Sequence, residues 1–503
     1  MSDSNQEQQT IKPIYISLSL IAVLLVLLGL TLLSESEAIK KNNASEDGFV
    51  FNDFSLKYPT TETFFKKETD TLATEEIVNE VTNAVIPIEE EPLDSLIISD
   101  PIKPKKTIDF TKIDTTKIFR IQYPDSNGVF LSDLKKSLNS GSCRWFHYGD
   151  SQVEGDRITS YLRNRLQGIY GGTGPGFIPI KQIYEQISAN VTPSDNWIRY
   201  TVFDPTKKRL AHKKYGAFMS LSRFTPHIDS LPSPEQLDSL TIQKATINIS
   251  KSNMTYVKLR KFKSVNLHYG NCLYPLKISV YENDALIKID SLKTDGNYHN
   301  FKINLSTAPK NIKIELEGKI SADFYGVTLD GNGGVQIDNV AMRGSTGNVF
   351  TRSNATTYQR MASTLNPKVV LMQFGGNAIP YLKDSTKVTN YAKYMNSQIN
   401  WIKRRIKDVQ ILFIGPTDMV TTVNGEKKTH ALLPFLNETL RQSCLENNVA
   451  YWSMFDAMGG KGSMKIWVDQ KLAGNDYVHF THKGTKIISE LFFIALYLDL
   501  NQQ

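Results

Sequence analysis

Hydrophobic and polar positions follow different patterns in successive parts of this chain. An uncharged apolar run extends from Ile14 to Leu33, and its length of about 20 residues is that of a helix that crosses a hydrocarbon core of roughly 30 Å. Polar and charged residues dominate the next part, and short apolar runs return from about residue 111. We therefore predict a short tail over residues 1–13, a transmembrane helix over 14–33, a stalk over 34–110 and folded domains beyond it.

The polar part, residues 34–110, is rich in glutamate, threonine, lysine and aspartate and contains several prolines. Such a segment cannot bury enough apolar surface to offset the entropy that is lost on folding. We expect it to be disordered and to hold the folded part away from a membrane. Cleavage after Ser36, as in a secretory signal, stays an alternative to anchoring. Lys40 and Lys41 lie beyond the apolar run and leave its orientation undecided.

The first and last thirds of the folded part alternate between strand-like and helix-like patterns. The run CRWFHYGD, residues 143–150, is apolar and ends in a polar turn, and Ile158, Leu162 and Leu166 then recur at helical spacing. The same alternation returns between residues 326 and 503, where the strand-like runs include VQIDNVAM, KVVLMQF, VQILFIG and VAYWSMF. Strands and helices that alternate at this spacing predict an α/β domain, in which helices cover both faces of a parallel sheet.

The middle of the folded part shows no helical pattern. Between residues 240 and 325, strand-like runs such as TINISK, SVNLHY, PLKISVYEN and NIKIELEG follow one another with Asn, Asp, Gly or Pro between them. This pattern predicts an antiparallel β-sandwich. We expect the sandwich to be inserted into the α/β domain, which it divides into residues 111–239 and 326–503.

Composition narrows the possible classes of function. Hydrophobic residues make up 40% of the 503 positions, charged residues make up 22%, and the net charge of +7 is spread along the chain. We therefore predict a globular protein that binds no nucleic acid. Cys143, Cys272 and Cys444 are odd in number and too far apart for a disulfide framework. The eight histidines show no HxH or HxxxH spacing, so we predict no metal site and no cofactor.

Residues that could carry chemistry lie in four short motifs, each at the end of a predicted strand. The motifs are HYGDSQVEGD with Ser151, DNVAMRGSTG with Asn339 and Gly344, LMQFGGNAIP with Asn377, and NDYVHFTHKG with Asp476 and His479. The carboxyl ends of parallel strands meet at one edge of a sheet, so we expect the motifs to converge there. A serine, a histidine and an aspartate that meet in this way predict nucleophilic catalysis, because a serine hydroxyl needs a base to attack.

Together the four motifs resemble the sequence blocks of the SGNH/GDSL hydrolase family. The resemblance covers about residues 140–180 and 335–500, and it implies a flavodoxin-like parallel sheet. It also implies that Ser151 is the nucleophile and that Asp476 and His479 complete a catalytic triad. The oxyanion hole that it implies consists of the N–H groups of Ser151 and Gly344 and the side-chain amide of Asn377.

Two other features compete with these assignments. The run GGTGPG, residues 171–176, is also glycine-rich and follows a predicted helix, but we interpret it as a turn in the pocket wall rather than as the oxyanion glycine. His482 lies close to His479 in the sequence. The Asp-x-x-His spacing of the family favours His479 as the base.

The position of the insert gives a hypothesis about the substrate. A long insert before the second block, followed by YGVTLDGNGGVQ, resembles bacterial peptidoglycan O-acetyl esterases, in which a carbohydrate-binding-like β-sandwich interrupts the SGNH domain. We therefore predict a periplasmic or extracellular serine esterase that removes O-acetyl groups from peptidoglycan or another polysaccharide. The alternatives are an O-acetyltransferase with the same triad and a non-catalytic glycan-binding protein. The basic stripe of Lys258, Arg260, Lys261 and Lys263 is interpreted as a solvated face rather than as a contact for an acidic glycan.

Overall fold

The computed structural model describes residues 13–34, 49–51, 54–56, 74–83, 114–125, 128–306 and 309–501. The chain divides into two units, Met1–Ile77 and Val78–Gln503. The helices are α1 (Pro13–Ser34), α2 (74–83), α3 (Val129–Leu138), α4 (Arg157–Tyr170), α5 (Pro234–Ser239), α6 (Ala355–Leu365), α7 (Ser385–Lys403), α8 (Leu433–Glu446), α9 (Met454–Ala457), α10 (Ser463–Asp469) and α11 (His482–Asn501).

The strands fall into one parallel sheet and several antiparallel sheets. In chain order they are β1 (Phe49–Phe51), β2 (Phe54–Leu56), β3 (Ser142–Gly149), β4 (Gly176–Ile178), β5 (Ala189–Pro193), β6 (Ile198–Thr201), β7 (Ser220–Arg223), β8 (Gln243–Lys251), β9 (Ser264–Gly270), β10 (Lys277–Glu282), β11 (Ala285–Ser291), β12 (His299–Asn304), β13 (Asn311–Gly318), β14 (Asp323–Asp330), β15 (Gly334–Ala341), β16 (Pro367–Gln373), β17 (Gln410–Ile414), β18 (Val420–Val423), β19 (Glu426–Thr429) and β20 (Ala450–Trp452).

The first unit contains helix α1 and the hairpin of β1 with β2. The apolar run predicted to span a membrane, residues 14–33, is helical. Over the described residues, however, no helix meets both the length and the apolarity that a membrane crossing requires. The structure therefore does not establish residues 14–33 as a transmembrane helix, and the tail before Pro13 lies outside the described residues.

The central sheet of the second unit is parallel and has the order β15-β3-β16-β17-β20. Counted from β3, this is the 2-1-3-4-5 order of flavodoxin-like folds. Side chains of β3 alternate between two cores, since Trp145 packs with Leu162 of α4 on one face and Phe146 packs with Met395 of α7 on the other. The predicted parallel sheet with helices on both faces is confirmed.

Two antiparallel sheets form the sandwich that interrupts this fold. One has the order β11-β10-β13-β8-β5, and the other has the order β12-β9-β14-β7-β6 with β4 paired to β14. Alternating side chains such as Ile247, Ile249 and Leu267 fill the core between them. The sandwich therefore begins well before residue 240 and extends past 325, because β5 pairs with β8 and β14 continues to Asp330.

Part of the predicted stalk belongs to the second unit. Val78 and Val81 of α2 are buried in the same core as Trp145, and Lys117 forms an ion pair with Glu80. The stalk prediction is therefore not correct for this short helix, since its two valines find an apolar core to cover. Most other residues between 34 and 110 lie outside the described part of the chain.

Candidate active site

Ser151 lies at the carboxyl end of β3, in the turn that leads into α4. The strand ends at Gly149, and a Cβ at that position would lie 2.7 Å from the side chain of Val153, so the tight turn requires glycine there. Asp150 caps the following 3₁₀ turn, because its Oδ1 accepts a hydrogen bond from Gln152 N–H at 2.9 Å. The side chain of Ser151 thereby points out of the strand at the sheet edge and keeps 8% of its surface exposed.

The structure brings the three predicted triad residues into hydrogen-bonding distance. Ser151 Oγ lies 2.8 Å from Nε2 of His479, and Nδ1 of His479 lies 2.7 Å from Oδ2 of Asp476. This is the relay that a serine nucleophile needs, in which the carboxylate orients the imidazole and the imidazole accepts the serine proton. The three side chains therefore have the geometry that the predicted triad requires.

The loop between α10 and α11 fixes the carboxylate of the triad. Oδ1 of Asp476 accepts hydrogen bonds from the backbone N–H groups of Val478 and His479, both at 3.0 Å. Burial raises the pKa of Asp476, but the hydrogen bonds from the His479 ring and from these two amides outweigh that effect and hold the pKa below its usual value. Asp476 is thus kept anionic and can stabilise a protonated imidazole.

Two polar side chains that the sequence motifs did not identify hold the serine turn against the histidine loop. Nε2 of Gln152 donates to the carbonyl oxygen of Val478 at 2.5 Å. The guanidinium of Arg157 donates to the carbonyl oxygens of Ser151 at 2.7 Å and Phe480 at 3.4 Å. Because the two loops are distant in sequence, no local pattern could have identified these positioning contacts.

The side chain of Asn377 contacts the sequence neighbours of the two other predicted oxyanion residues. Its Nδ2 lies 3.1 Å from Oδ2 of Asp150 and 3.4 Å from the carbonyl oxygen of Ser345. Asp150 directly precedes Ser151, and Ser345 directly follows Gly344. Hydrogen bonds therefore connect the segments that carry the three predicted donors, and their role as an oxyanion hole stays a prediction.

Asp150 is a buried acid beside the nucleophile. Burial raises its pKa to about 6, although the N–H of Gln152 and the amide of Asn377 donate to its carboxylate and oppose the increase. An ionised Asp150 orients Asn377 by accepting a hydrogen bond from its amide nitrogen. The carboxylate of Asp150 thus holds the side-chain amide of Asn377 in place, although its burial costs free energy.

The glycine-rich run 171–176 and His482 competed in the sequence for the roles of oxyanion glycine and base. The glycines of the run 171–176 pack against the backbone before and within β15, where a Cβ on Gly172 would lie 2.7 Å from the carbonyl oxygen of Val335. This close approach supports the interpretation of GGTGPG as a structural turn. His482 is the first residue of α11 and is exposed, and the ring that reaches Ser151 is that of His479.

The second motif also contributes a buried support to the serine turn. Asn339 donates to the carbonyl oxygen of Val153 at 2.7 Å and to Oδ1 of Asp156 at 3.2 Å. Arg163 of α4, which is fully buried, pairs with the same Asp156 at 2.8 Å. This network ties the end of β15 to the turn that carries Ser151, which explains why Asn339 belongs to the motif although it is not directed toward the nucleophile.

No metal cluster was found within the described residues, where no three His, Cys, Asp or Glu side chains are arranged to hold an ion. Cys143, Cys272 and Cys444 are buried free thiols. Burial raises the pKa of Cys143 and Cys272 to about 11, so neither is a nucleophile near neutral pH. The hydroxyl of Ser151, by contrast, has the ring of the partly exposed His479 in position to act as a base.

Residues 318–487 match the model of the GDSL-like lipase/acylhydrolase family. This range contains three of the four motifs and lacks the Ser151 motif, because the inserted sandwich separates Ser151 from the others. No curated protein sequence matches the chain.

The second comparison is with solved structures, one of which shows a similar fold. A peptidoglycan O-acetylesterase is 19% identical, with a TM-score of 0.58, and the match covers 76% of this chain and 99% of the other. A family two carbohydrate esterase from Clostridium thermocellum is 11% identical over 51% of this chain and 91% of its own, with a TM-score of 0.22. A carbohydrate esterase family 2 enzyme from Corynascus thermopiles is 11% identical over 54% of this chain and 98% of its own, with a TM-score of 0.26. The first similarity establishes the fold, and the other two are too distant to add to it.

Proposed function

Since the chain is an ester hydrolase of the SGNH/GDSL type, we propose that it removes O-acetyl groups from a cell-envelope or extracellular polysaccharide, peptidoglycan included, through an acyl-enzyme. The observation that carries this proposal is the unbroken hydrogen-bonded series from Ser151 Oγ through His479 to Asp476. The acetylated substrate class rests on the similarity in fold to a peptidoglycan O-acetylesterase.

The geometry supports a two-step acyl transfer. Nε2 of His479 takes the proton of Ser151 as Oγ attacks the acetyl carbonyl carbon, and the sugar oxygen then leaves with that proton as the carbon–oxygen bond breaks. The N–H groups of Ser151 and Gly344 and the amide of Asn377 would stabilise the tetrahedral oxyanion. Water, deprotonated by the same imidazole, attacks the acetyl-enzyme, releases acetate and returns the proton to Ser151.

Solvent access favours hydrolysis over transfer to a second sugar. The side chains of His479 and Asp476 keep 34% and 52% of their surface exposed. An acyl-enzyme that forms beside an open imidazole is accessible to water, whereas a transferase must exclude water to favour the acceptor hydroxyl. This exposure leads us to place the esterase ahead of the O-acetyltransferase with the same triad.

The test is to incubate the full-length protein with an O-acetylated polysaccharide, with and without an acceptor sugar, and to measure both products. We expect free acetate at the same rate under both conditions. Acetylation of the acceptor in place of acetate release would assign the protein as a transferase. The absence of both products, together with retained glycan binding, would make it a non-catalytic binding protein.

We also propose that the second unit lies outside the cytoplasm and that the apolar helix α1 anchors it to a membrane. The support is the uncharged run from Ile14 to Leu33 together with a substrate class that occurs outside the cytoplasm. The full-length protein should therefore sediment with membranes in high salt. A soluble product that begins near Glu37 would contradict the anchor and indicate a cleaved signal.

A further inference from the structure

A cleft beside the serine turn is lined by residues of both the catalytic sheet and the sandwich. We call it the Arg199 cleft and define it by Glu154, Tyr184, Arg199, Phe203 and Arg343. Glu154 belongs to the turn that begins at Ser151, and Arg343 directly precedes Gly344. Arg199 comes from strand β6 of the sandwich. The cleft therefore adjoins two of the motifs that form the candidate active site.

Arg199 is a cation without a counter-charge in direct contact. Its Nε is buried and has no hydrogen-bond partner, and no ion pair to Arg199 occurs among the described residues. Its guanidinium lies over the ring of Phe203 at 5.6 Å from the centroid. Burial lowers the pKa of Arg199, and the charges of Asp204 and Glu154 only partly oppose that effect. Arg199 is therefore a partly buried cation with no ion-pair partner among the described residues, and an anion that binds from solvent would supply the missing counter-charge.

The other charges of the cleft leave Arg199 uncompensated. Arg343 already lies 3.4 Å from the carboxylate of Glu154, and its guanidinium stacks over Tyr184 at 4.6 Å from the ring centroid. Burial raises the pKa of Glu154, while Arg343 and His479 act in the opposite direction. The same carboxylate thus lies within electrostatic reach of both the catalytic histidine and Arg199, which places the unpaired cation close to the reacting ester.

We propose that Arg199 binds a carboxylate of the glycan whose acetyl ester is attacked by Ser151, so that the substrate is an O-acetylated acidic glycan. The proposal rests on the proposed esterase function. A planar guanidinium can donate two parallel hydrogen bonds to a carboxylate, and the half-exposed ring of Tyr184 offers a surface for a sugar ring. Arg199 acts here as a specificity residue of the insert, because it fixes the position of the sugar without contacting the ester.

The carboxylate could belong to two kinds of glycan. It could be part of the sugar ring, as in a polymer of uronic acids, or it could be attached to the sugar as an acidic ether or peptide, as in peptidoglycan. Both present the same group to Arg199. Assays with O-acetylated polygalacturonate and with O-acetylated peptidoglycan distinguish these sources, and O-acetylated xylan provides a neutral backbone.

The experiment compares Arg199→Gln and Arg199→Lys with the wild type in kcat/KM on these three polymers and on 4-nitrophenyl acetate. For Arg199→Gln we expect a loss of about tenfold to a hundredfold on at least one acidic polymer, through KM, since hydrogen bonds to charged groups contribute this much. Arg199→Lys should lose less, because it keeps the charge but not the paired donors. Activity on xylan and on 4-nitrophenyl acetate should be unchanged.

Arg209→Gln is the matched control, since Arg209 is exposed on the connection between β6 and β7 and does not line the cleft.

A structural role for Arg199 would give other results. Arg199→Gln should leave the thermal unfolding midpoint unchanged or higher, because it removes a partly buried charge that has no ion-pair partner among the described residues. The preference of the wild type for an acidic polymer should weaken as salt rises. Equal losses on all substrates with a lower midpoint, or no loss on either acidic polymer, would overturn the proposal for Arg199. If the wild type hydrolyses 4-nitrophenyl acetate but releases acetate from no polymer, the proposed polysaccharide substrate fails as well.

Discussion

Replacement of His479 by alanine is expected to lower kcat on a small acetyl ester by roughly four to six orders of magnitude. The reason is that Nε2 of His479 is the base positioned 2.8 Å from Ser151 Oγ. Ser151→Ala should cause a loss of similar size, because the nucleophile and its base act as one unit. The measurement is the release of 4-nitrophenol from 4-nitrophenyl acetate by the purified full-length variants.

The matched control for this prediction is His482→Ala. His482 is exposed at the first position of α11, so its removal should change kcat little. All three variants should retain the thermal unfolding midpoint of the wild type, since none of these side chains fills a hydrophobic core. A larger loss for His482→Ala than for His479→Ala would show that the Asp-x-x-His register has been assigned wrongly.

Replacement of Asn377 by alanine is expected to lower kcat by about 10²- to 10³-fold, the usual effect of removing one oxyanion donor. The loss should appear in kcat more than in KM, because the hydrogen bond to the oxyanion is made in the transition state. The position of Asn377 supports this expectation, because its Nδ2 contacts Asp150 and Ser345. Asp150 directly precedes Ser151, and Ser345 directly follows Gly344. An unchanged kcat in Asn377→Ala would remove Asn377 from the oxyanion hole.

The companion variant Asp150→Asn tests how Asn377 is oriented. Oδ1 of the new side chain can still accept from Gln152 N–H, but an amide nitrogen in place of Oδ2 cannot accept from Asn377. We expect a loss of kcat that is smaller than that of Asn377→Ala, because the donor is still present but less well oriented. Equal losses in the two variants would mean that Asp150 has a role beyond orientation.

The same variant has an expected effect on stability. The pKa of Asp150 is raised to about 6 in the folded protein and is about 3.9 in an unfolded chain. The folded state therefore binds the extra proton between these values, so the contribution of Asp150 to the free energy of unfolding falls as pH rises from about 4 to about 6. The decrease is on the order of 3 kcal/mol. The free energy of unfolding can be measured with urea at pH 4 and at pH 7. Its decrease between these two pH values should be smaller for Asp150→Asn than for the wild type.

The sequence alone was sufficient for the parts of this protein that depend on local pattern. Apolar runs of β3 and β16 predict buried parallel strands, since both of their faces must be covered by helices. The Asp-x-x-His spacing brings Asp476 and His479 onto one loop, where their 2.7 Å contact is almost a local property. The resemblance of four short motifs then identified Ser151 as the partner of His479, although the two are distant in the chain.

Other features depend on contacts between segments that no pattern relates. The sandwich extends to β5, β6 and β7, because β5 pairs with β8, β7 pairs with β14 and β6 pairs with β7. Gln152 and Arg157 stabilise the site by donating hydrogen bonds to backbone carbonyl oxygens of the histidine loop. Every residue type has the same backbone carbonyl group, so the sequence does not show which residues accept these bonds.

The surroundings of Arg199 are another feature that the sequence pattern could not predict. In the sequence it is one arginine in a short polar strand, and nothing distinguishes it from an exposed cation. Only the packing of the sandwich beside the turn of Ser151 places its guanidinium in the cleft and buries its Nε without a hydrogen-bond partner. The sequence thus determined the chemistry of the site, because that chemistry depends on residue types at fixed spacing. The tertiary structure decided what lies beside the site, because burial and charge balance depend on segments that meet only in the folded chain.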